Sequence, residues 1–180
     1  KEDIITIQEA NNNVDINVSS SDWTNKQQNE VTFDIHLNAT SSQFNLFKNP
    51  QLKIELPSQV EKVILGNSSI VYGNGLELQE PYVETDEDGN FSIVANLVGE
   101  QTQYTEKDLE LITDIKIPAT IILKKDVQNV LDKINFVYTN AYTLNGQVEE
   151  NSIQKDIKIQ SYNQEESETT VQDVVNTLIA

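Results

Sequence analysis

The stretch Glu30-Val31-Thr32-Phe33-Asp34-Ile35-His36-Leu37-Asn38 decides the fold. Val31, Phe33, Ile35 and Leu37 alternate with Thr32, Asp34, His36 and Asn38, a period of two that puts one set of side chains on each face of a strand. One face is apolar and the other polar, which is the pattern of an antiparallel sheet with one side on a core and one in water. The same alternation recurs at Leu52–Leu56, Phe91–Leu97, Leu111–Ile117, Ile134–Leu144 and Ile153–Ile159. Shorter runs at Ile4–Gln8, Val14–Val18 and Val60–Leu65 read as further strands.

The turns agree with this reading. Asn74-Gly75, Asp88-Gly89 and Asn145-Gly146 fall between strand runs and supply the positive φ that type I′ hairpins require. Proline is read as punctuation: Pro57 and Pro118 end runs, and Pro50 and Pro81 lie in loops. Asp126–Lys133 reads as a loop or one helical turn. The fold class that these signals imply is all-β, an antiparallel β-sandwich over residues 1–162. Residues 163–180 form an acidic linker, Asn163–Glu168, followed by Val171, Val174, Val175, Leu178 and Ile179 at helical spacing, with Thr170 and Asp173 placed as a capping box. This segment reads as a short C-terminal helix or as the start of a next module.

Composition narrows the class of function. The 180 residues are long enough to bury a core without a metal or a disulfide. The net charge of −17 repels phosphate backbones and anionic lipid headgroups, so neither nucleic acid nor membrane insertion of this fragment is expected. Zero cysteine excludes disulfides, thiol catalysis and thiolate metal sites. The twelve basic residues are all lysine, and asparagine and isoleucine abound, as the codons of an AT-rich, low-GC genome favour. The chain has no methionine, so it reads as a piece of a longer protein.

The residues carry a family resemblance. The strand at Glu30–Asn38, the following Leu52-Lys53-Ile54-Glu55-Leu56-Pro57, and the late pair from Asn140-Ala141-Tyr142-Thr143 to Ile159 are similar to the immunoglobulin-like repeats of Gram-positive cell-surface and adhesin proteins. The strand order also resembles cohesin domains, which hold partner proteins at the cell surface. The resemblance covers roughly residues 30–160 and implies an immunoglobulin-like sandwich, an extracellular, cell-surface location, and a non-catalytic structural or adhesion role. A protein or glycan ligand would be the partner; a carbohydrate-binding or cohesin-like module is the alternative, and an acid-base hydrolase the third.

Four chemistries have candidate residues. A serine triad would need the single histidine, His36, which lies on the polar phase of its strand, and no Gly-x-Ser-x-Gly elbow accompanies it. The 29 acidic residues offer many carboxylate pairs, none distinguished from the rest. No catalytic residue is therefore assigned. Calcium is the one cofactor with a candidate loop: Glu84-Thr85-Asp86-Glu87-Asp88-Gly89-Asn90 sets Glu84, Asp86 and Asp88 at alternate positions before a glycine. Ala95 stands where such loops carry a bidentate glutamate, and an acidic hairpin tip explains the residues equally. A lysine–asparagine cross-link needs a lysine neutralised by burial; Lys124 or Lys125 with Asn140 are the candidates. Trp23, Tyr72 and Tyr82 are the candidate aromatics of a glycan platform, against a core role for the lone tryptophan.

Overall fold

The computed structural model describes residues 11–41, 47–70, 77–98, 109–142 and 148–162. These form twelve strands: β1 (Asn11–Val18), β2 (Asp22–Thr24), β3 (Asn29–Ser41), β4 (Phe47–Glu55), β5 (Val60–Leu65), β6 (Ser69–Ile70), β7 (Glu77–Leu78), β8 (Tyr82–Thr85), β9 (Phe91–Val98), β10 (Leu109–Leu123), β11 (Val130–Tyr142) and β12 (Val148–Gln160). No helix occurs among the described residues. One sheet runs β1-β3-β10-β5, with β6 also on β10. The other runs β2-β12-β11-β4-β9-β7, with β8 also on β9.

The two sheets close on the apolar phases read from the sequence. Val31, Phe33, Ile35 and Leu37 of β3 are buried, as are Ile115, Ile117 and Ile121 of β10. Facing them are Leu52 and Ile54 of β4, Ile93 and Leu97 of β9, and Ile134, Phe136 and Tyr138 of β11. Phe33 and Phe136 meet edge to face across the sandwich, with centroids 6.1 Å apart and planes at 66°. The polar phase of β3 is wet: His36 lies between Asp15 of β1 and Asp114 of β10 on the outer face.

Four local expectations are corrected. Pro118 lies inside β10, not at its end. It stands opposite Thr32, whose own N–H and C=O are used towards Ser19. Pro118 and Thr32 are thus a non-hydrogen-bonded pair, and the missing N–H faces the gap between β5 and β6, where the Pro118 carbonyl accepts from Gly66 N at 2.8 Å. Gly66 suits this approach, because an added Cβ would sit 3.2 Å from the Pro118 Cβ. Pro50 lies within β4, where the register with β11 shifts between Thr139 and Ala141. The Asp88-Gly89 hairpin is not type I′: Gly89 alone has a positive φ, 81°, after a turn closed by Gly89 N to Asp86 O at 3.1 Å. Residues 126–133 divide between a turn and the first residues of β11. The expected strand at Ile4–Gln8, the Asn74-Gly75 and Asn145-Gly146 turns, and the 163–180 segment lie outside the described residues.

The shortest strand of consequence is β2. It pairs in parallel with the end of β12, Asp22 with Lys158, Trp23 with Ile159 and Thr24 with Gln160. Trp23 is completely buried and donates its indole N–H to Ser20 O at 3.1 Å. The corner beyond it is held by side-chain amides. Asn29 accepts from Thr24 N and donates to Thr24 O and Ile121 O, while Asn25 donates to Lys125 O and accepts from Tyr162 N. Replacing Trp23 with alanine should cost about 3–5 kcal/mol, the range for a large aromatic removed from a core; urea unfolding of the purified chain measures it.

Candidate interaction surfaces

The acidic tip is built by the β8–β9 turn. Asp86 Oδ1 accepts from both Asp88 N and Asn90 N at 2.9 Å, and Asp86 N donates to Asn90 O at 2.9 Å. Aspartate favours turns because its short carboxylate reaches its own downstream backbone in this way. Glu84, two residues earlier, lies on the sheet face and pairs with Lys53 of β4 at 2.9 Å. The structure therefore puts Glu84, Asp86 and Asp88 on one hairpin without converging them. Among the described residues no group of three His, Asp or Glu side chains is placed to hold a metal ion.

The Glu84 hydrogen bond raises the Lys53 pKa above the ordinary lysine value. A folded-state value above the unfolded one stabilises the fold below the unfolded pKa, and that stabilisation is lost as pH rises through the folded value. With side chains 33% and 47% exposed, the pair is worth only the ~0–1 kcal/mol of an exposed ion pair.

The aromatic platform does not form around Trp23, which belongs to the core and presents nothing to solvent. Tyr82 is 46% exposed on β8. Tyr72 lies outside the described residues.

The proposed cross-link partners are likewise kept apart. Lys124 and Lys125 are exposed on the turn after β10, with Lys124 N bonded to Gln59 O and Lys125 O to Asn25. Asn140 is buried on the inner face of β11, ten residues beyond Val130, which stands at the lysine end. That separation along a strand is about 30 Å, far beyond a lysine side chain. A different lysine lies in the apolar phase of its strand. Lys155 of β12 falls in the phase of Ile153 and Ile157, and is half-buried. Alternation alone shows it, once β12 is followed residue by residue.

His36 Nδ1 lies 2.6 Å from Asp114 Oδ1. Both side chains are substantially exposed, 50% and 40%, on an open sheet face. The pair bridges two strands, with Lys116 and Asp34 at 3.8 Å in the next cross-strand row.

No family model matches the sequence, and no curated protein matches it. Among solved structures the chain is similar to BcpA, the major pilin subunit of Bacillus cereus, at 11% identity and a TM-score of 0.50, covering 83% of this chain and 40% of that one. A single-residue variant of that pilin aligns at 10% identity and a TM-score of 0.51, covering 85% of this chain and 41% of that one. The chain thus spans about two fifths of the pilin's length. The likeness establishes the fold: an all-β, immunoglobulin-like sandwich of the kind found in Gram-positive pilins.

Asp86→Ala should cost about 1 kcal/mol by releasing two backbone N–H groups. Calcium should leave the thermal midpoint of the parent unchanged against chelator; a calcium-dependent rise that Asp86→Ala abolishes would instead establish a metal site. Glu84→Gln should remove the extra loss of stability that the parent shows in strongly alkaline buffer, read from denaturant midpoints.

Proposed function

We propose that the chain is a non-catalytic structural module of a secreted or wall-attached surface protein of a Gram-positive bacterium, and that it transmits tension along its length from one end of the sandwich to the other. The observation that carries this reading is the parallel pairing of β2 with β12. Asn11 pairs with Thr40 at one end of the sandwich, and the chain runs through β1 to β2 at the other end. β12 finishes at that second end too, where Tyr162 N bonds to Asn25. The described chain therefore enters at one end and leaves at the other.

Tension along that axis pulls β2 and β12 past one another in opposite directions. The hydrogen bonds between them, such as Lys158 N to Ser21 O at 2.7 Å and Asn25 N to Gln160 O at 3.0 Å, lie across the strands. They are loaded together and must break together, whereas bonds pulled from one end open one at a time. Behind them Trp23 and Ile159, neighbours in register, are fully buried, so sliding also exposes core. The fold likeness to a major pilin subunit supports a structural task at the cell surface, where a partner would be a protein or a glycan. The acidic surface suits an extended surface protein that must not adhere nonspecifically.

Single-molecule extension of the chain held at its two ends tests this. The parent should unfold in one step, and Lys158→Pro, which deletes the donor to Ser21 O, should lower the unfolding force. Equal forces for parent and variant would remove the shear role of the β2–β12 pair.

A further inference from the structure

Two asparagines turn the β2–β3 loop into a fixed platform. Asn29 accepts from Thr24 N and donates to Thr24 O and Ile121 O, which closes the base of the loop and ties it to β10. Asn25 is buried and donates to Lys125 O, so the turn after β10 is held against the same loop. Three exposed residues, Lys26, Gln27 and Gln28, project from this fastened backbone. Lys26 has a φ of 59°, a left-handed conformation that strains a residue with a long side chain. The other such residue among those described is Asn49, a type that tolerates it. Strain of this kind collects where a side chain has a task.

Lys26, Gln27, Gln28, Glu61, Ile122 and Lys125 line one concavity of about 280 Å³. β10 runs beneath it, between the start of β3 on one side and β5 on the other. Ile122 falls between buried Ile121 and Leu123, so it faces outwards into the concavity. The charge there is opposite to the chain's. Lys26 and Lys125 against Glu61 leave one positive charge in the lining, on a chain of net charge −17. Lys62, the register partner of Ile122, and Asp126, which follows Lys125, cancel just outside it. Among the described residues neither lining lysine has a carboxylate partner; Lys26 Nζ stands 5.8 Å from the centroid of the Tyr162 ring. An anion is repelled by the chain at large and finds its counter-charge here.

The lining also selects the kind of anion. One positive charge matches a carboxylate, whereas a phosphate monoester carries about −1.5 to −2 at neutral pH and would turn the excess towards Glu61. The Gln27 and Gln28 amides and the Glu61 carboxylate give and take hydrogen bonds as hydroxyl groups require. Ile122 and the aliphatic stems of the two lysines offer an apolar face to the C–H side of a sugar ring. The volume lies at the small end of ligand pockets, which suits a single sugar unit. We infer that this concavity binds a sugar bearing a carboxylate, with Lys26 and Lys125 on the carboxylate and Gln27, Gln28 and Glu61 on the hydroxyls. The inference extends the surface-module reading by naming the glycan that the module meets. That reading is tested by force and this one by binding, so either can fail alone.

Titration of the isotope-labelled chain with glucuronate and with N-acetylneuraminate, followed by amide chemical shifts, tests it. At least one of the two should move the amides of residues 26–28, 61, 122 and 125 saturably and leave those at the Asp86 tip unmoved. Lys26→Gln and Lys125→Gln, at exposed positions that the fold tolerates, should each weaken binding about tenfold, the worth of one hydrogen bond to a charged group. Glucose, which lacks the charge, and acetate and inorganic phosphate, which lack the ring, should bind more weakly at equal concentration. Equal binding of glucose, acetate or phosphate overturns the proposal, since the site would then read either the ring or the charge alone. So does undiminished binding in both lysine variants, or the absence of saturable shifts at these residues with either acidic sugar.

Discussion

The backbone hydrogen bonds between β2 and β12 join segments more than a hundred residues apart and fix how the chain enters and leaves the sandwich. Trp23 makes this pairing possible. A three-residue strand has too few ladder bonds to hold itself at a sheet edge, and burying the whole indole with its N–H satisfied supplies what the ladder lacks. Asn25 and Asn29 then fasten the corner to the β10 turn, to β3 and to Tyr162. Loss of that corner would free the first and last strands at once.

The open edge of the second sheet is guarded by charge. Among the described residues, β2 covers only residues 158–160 of β12, and no other strand pairs with the preceding stretch of its outer edge. Lys155 lies on that stretch in the apolar phase, and Asp156 beside it faces out. A charged residue set inwards on an edge strand blocks a further strand from adding in register, because the newcomer would bury it. The lysine thus makes sense as protection of an edge, where a core position would penalise it.

Much of the sandwich was legible because one face of each long strand is wet. The alternation in β3, β4 and β11 named the buried residues correctly, since a period of two leaves no other face for Phe33, Ile54 or Phe136, whereas in β9 Val94 of the opposite phase is buried as well. The failures have physical causes. Pro118 reads as a stop because a proline removes an N–H, and only the cross-strand partner reveals that this N–H has no ladder bond to lose. β2 is unreadable locally: its sequence is short and polar around Trp23, and its burial comes from β12, far along the chain. β8 gives no strand run in the sequence because it is a four-residue, mostly exposed strand ending in an acidic tip. The site candidates fared by the same rule. Acids alternating before a glycine describe a calcium loop and a self-capped turn equally well, and only the Asp86 acceptor geometry separates them. Lys124 and Lys125 were chosen by phase at a strand end, where phase says nothing about the distance to Asn140.

If the β2–β12 pairing holds the two ends of the fold together, it belongs to the most stable part of the molecule and opens only with it. Native-state amide hydrogen exchange tests this at two named positions, Lys158 N–H and Asn25 N–H. Both should exchange with the free energy of global unfolding, matching buried β10 and β11 amides such as those of Ile117 and Phe136. Exchange of either through a low-energy local opening, while the β10 and β11 amides stay protected, would contradict it.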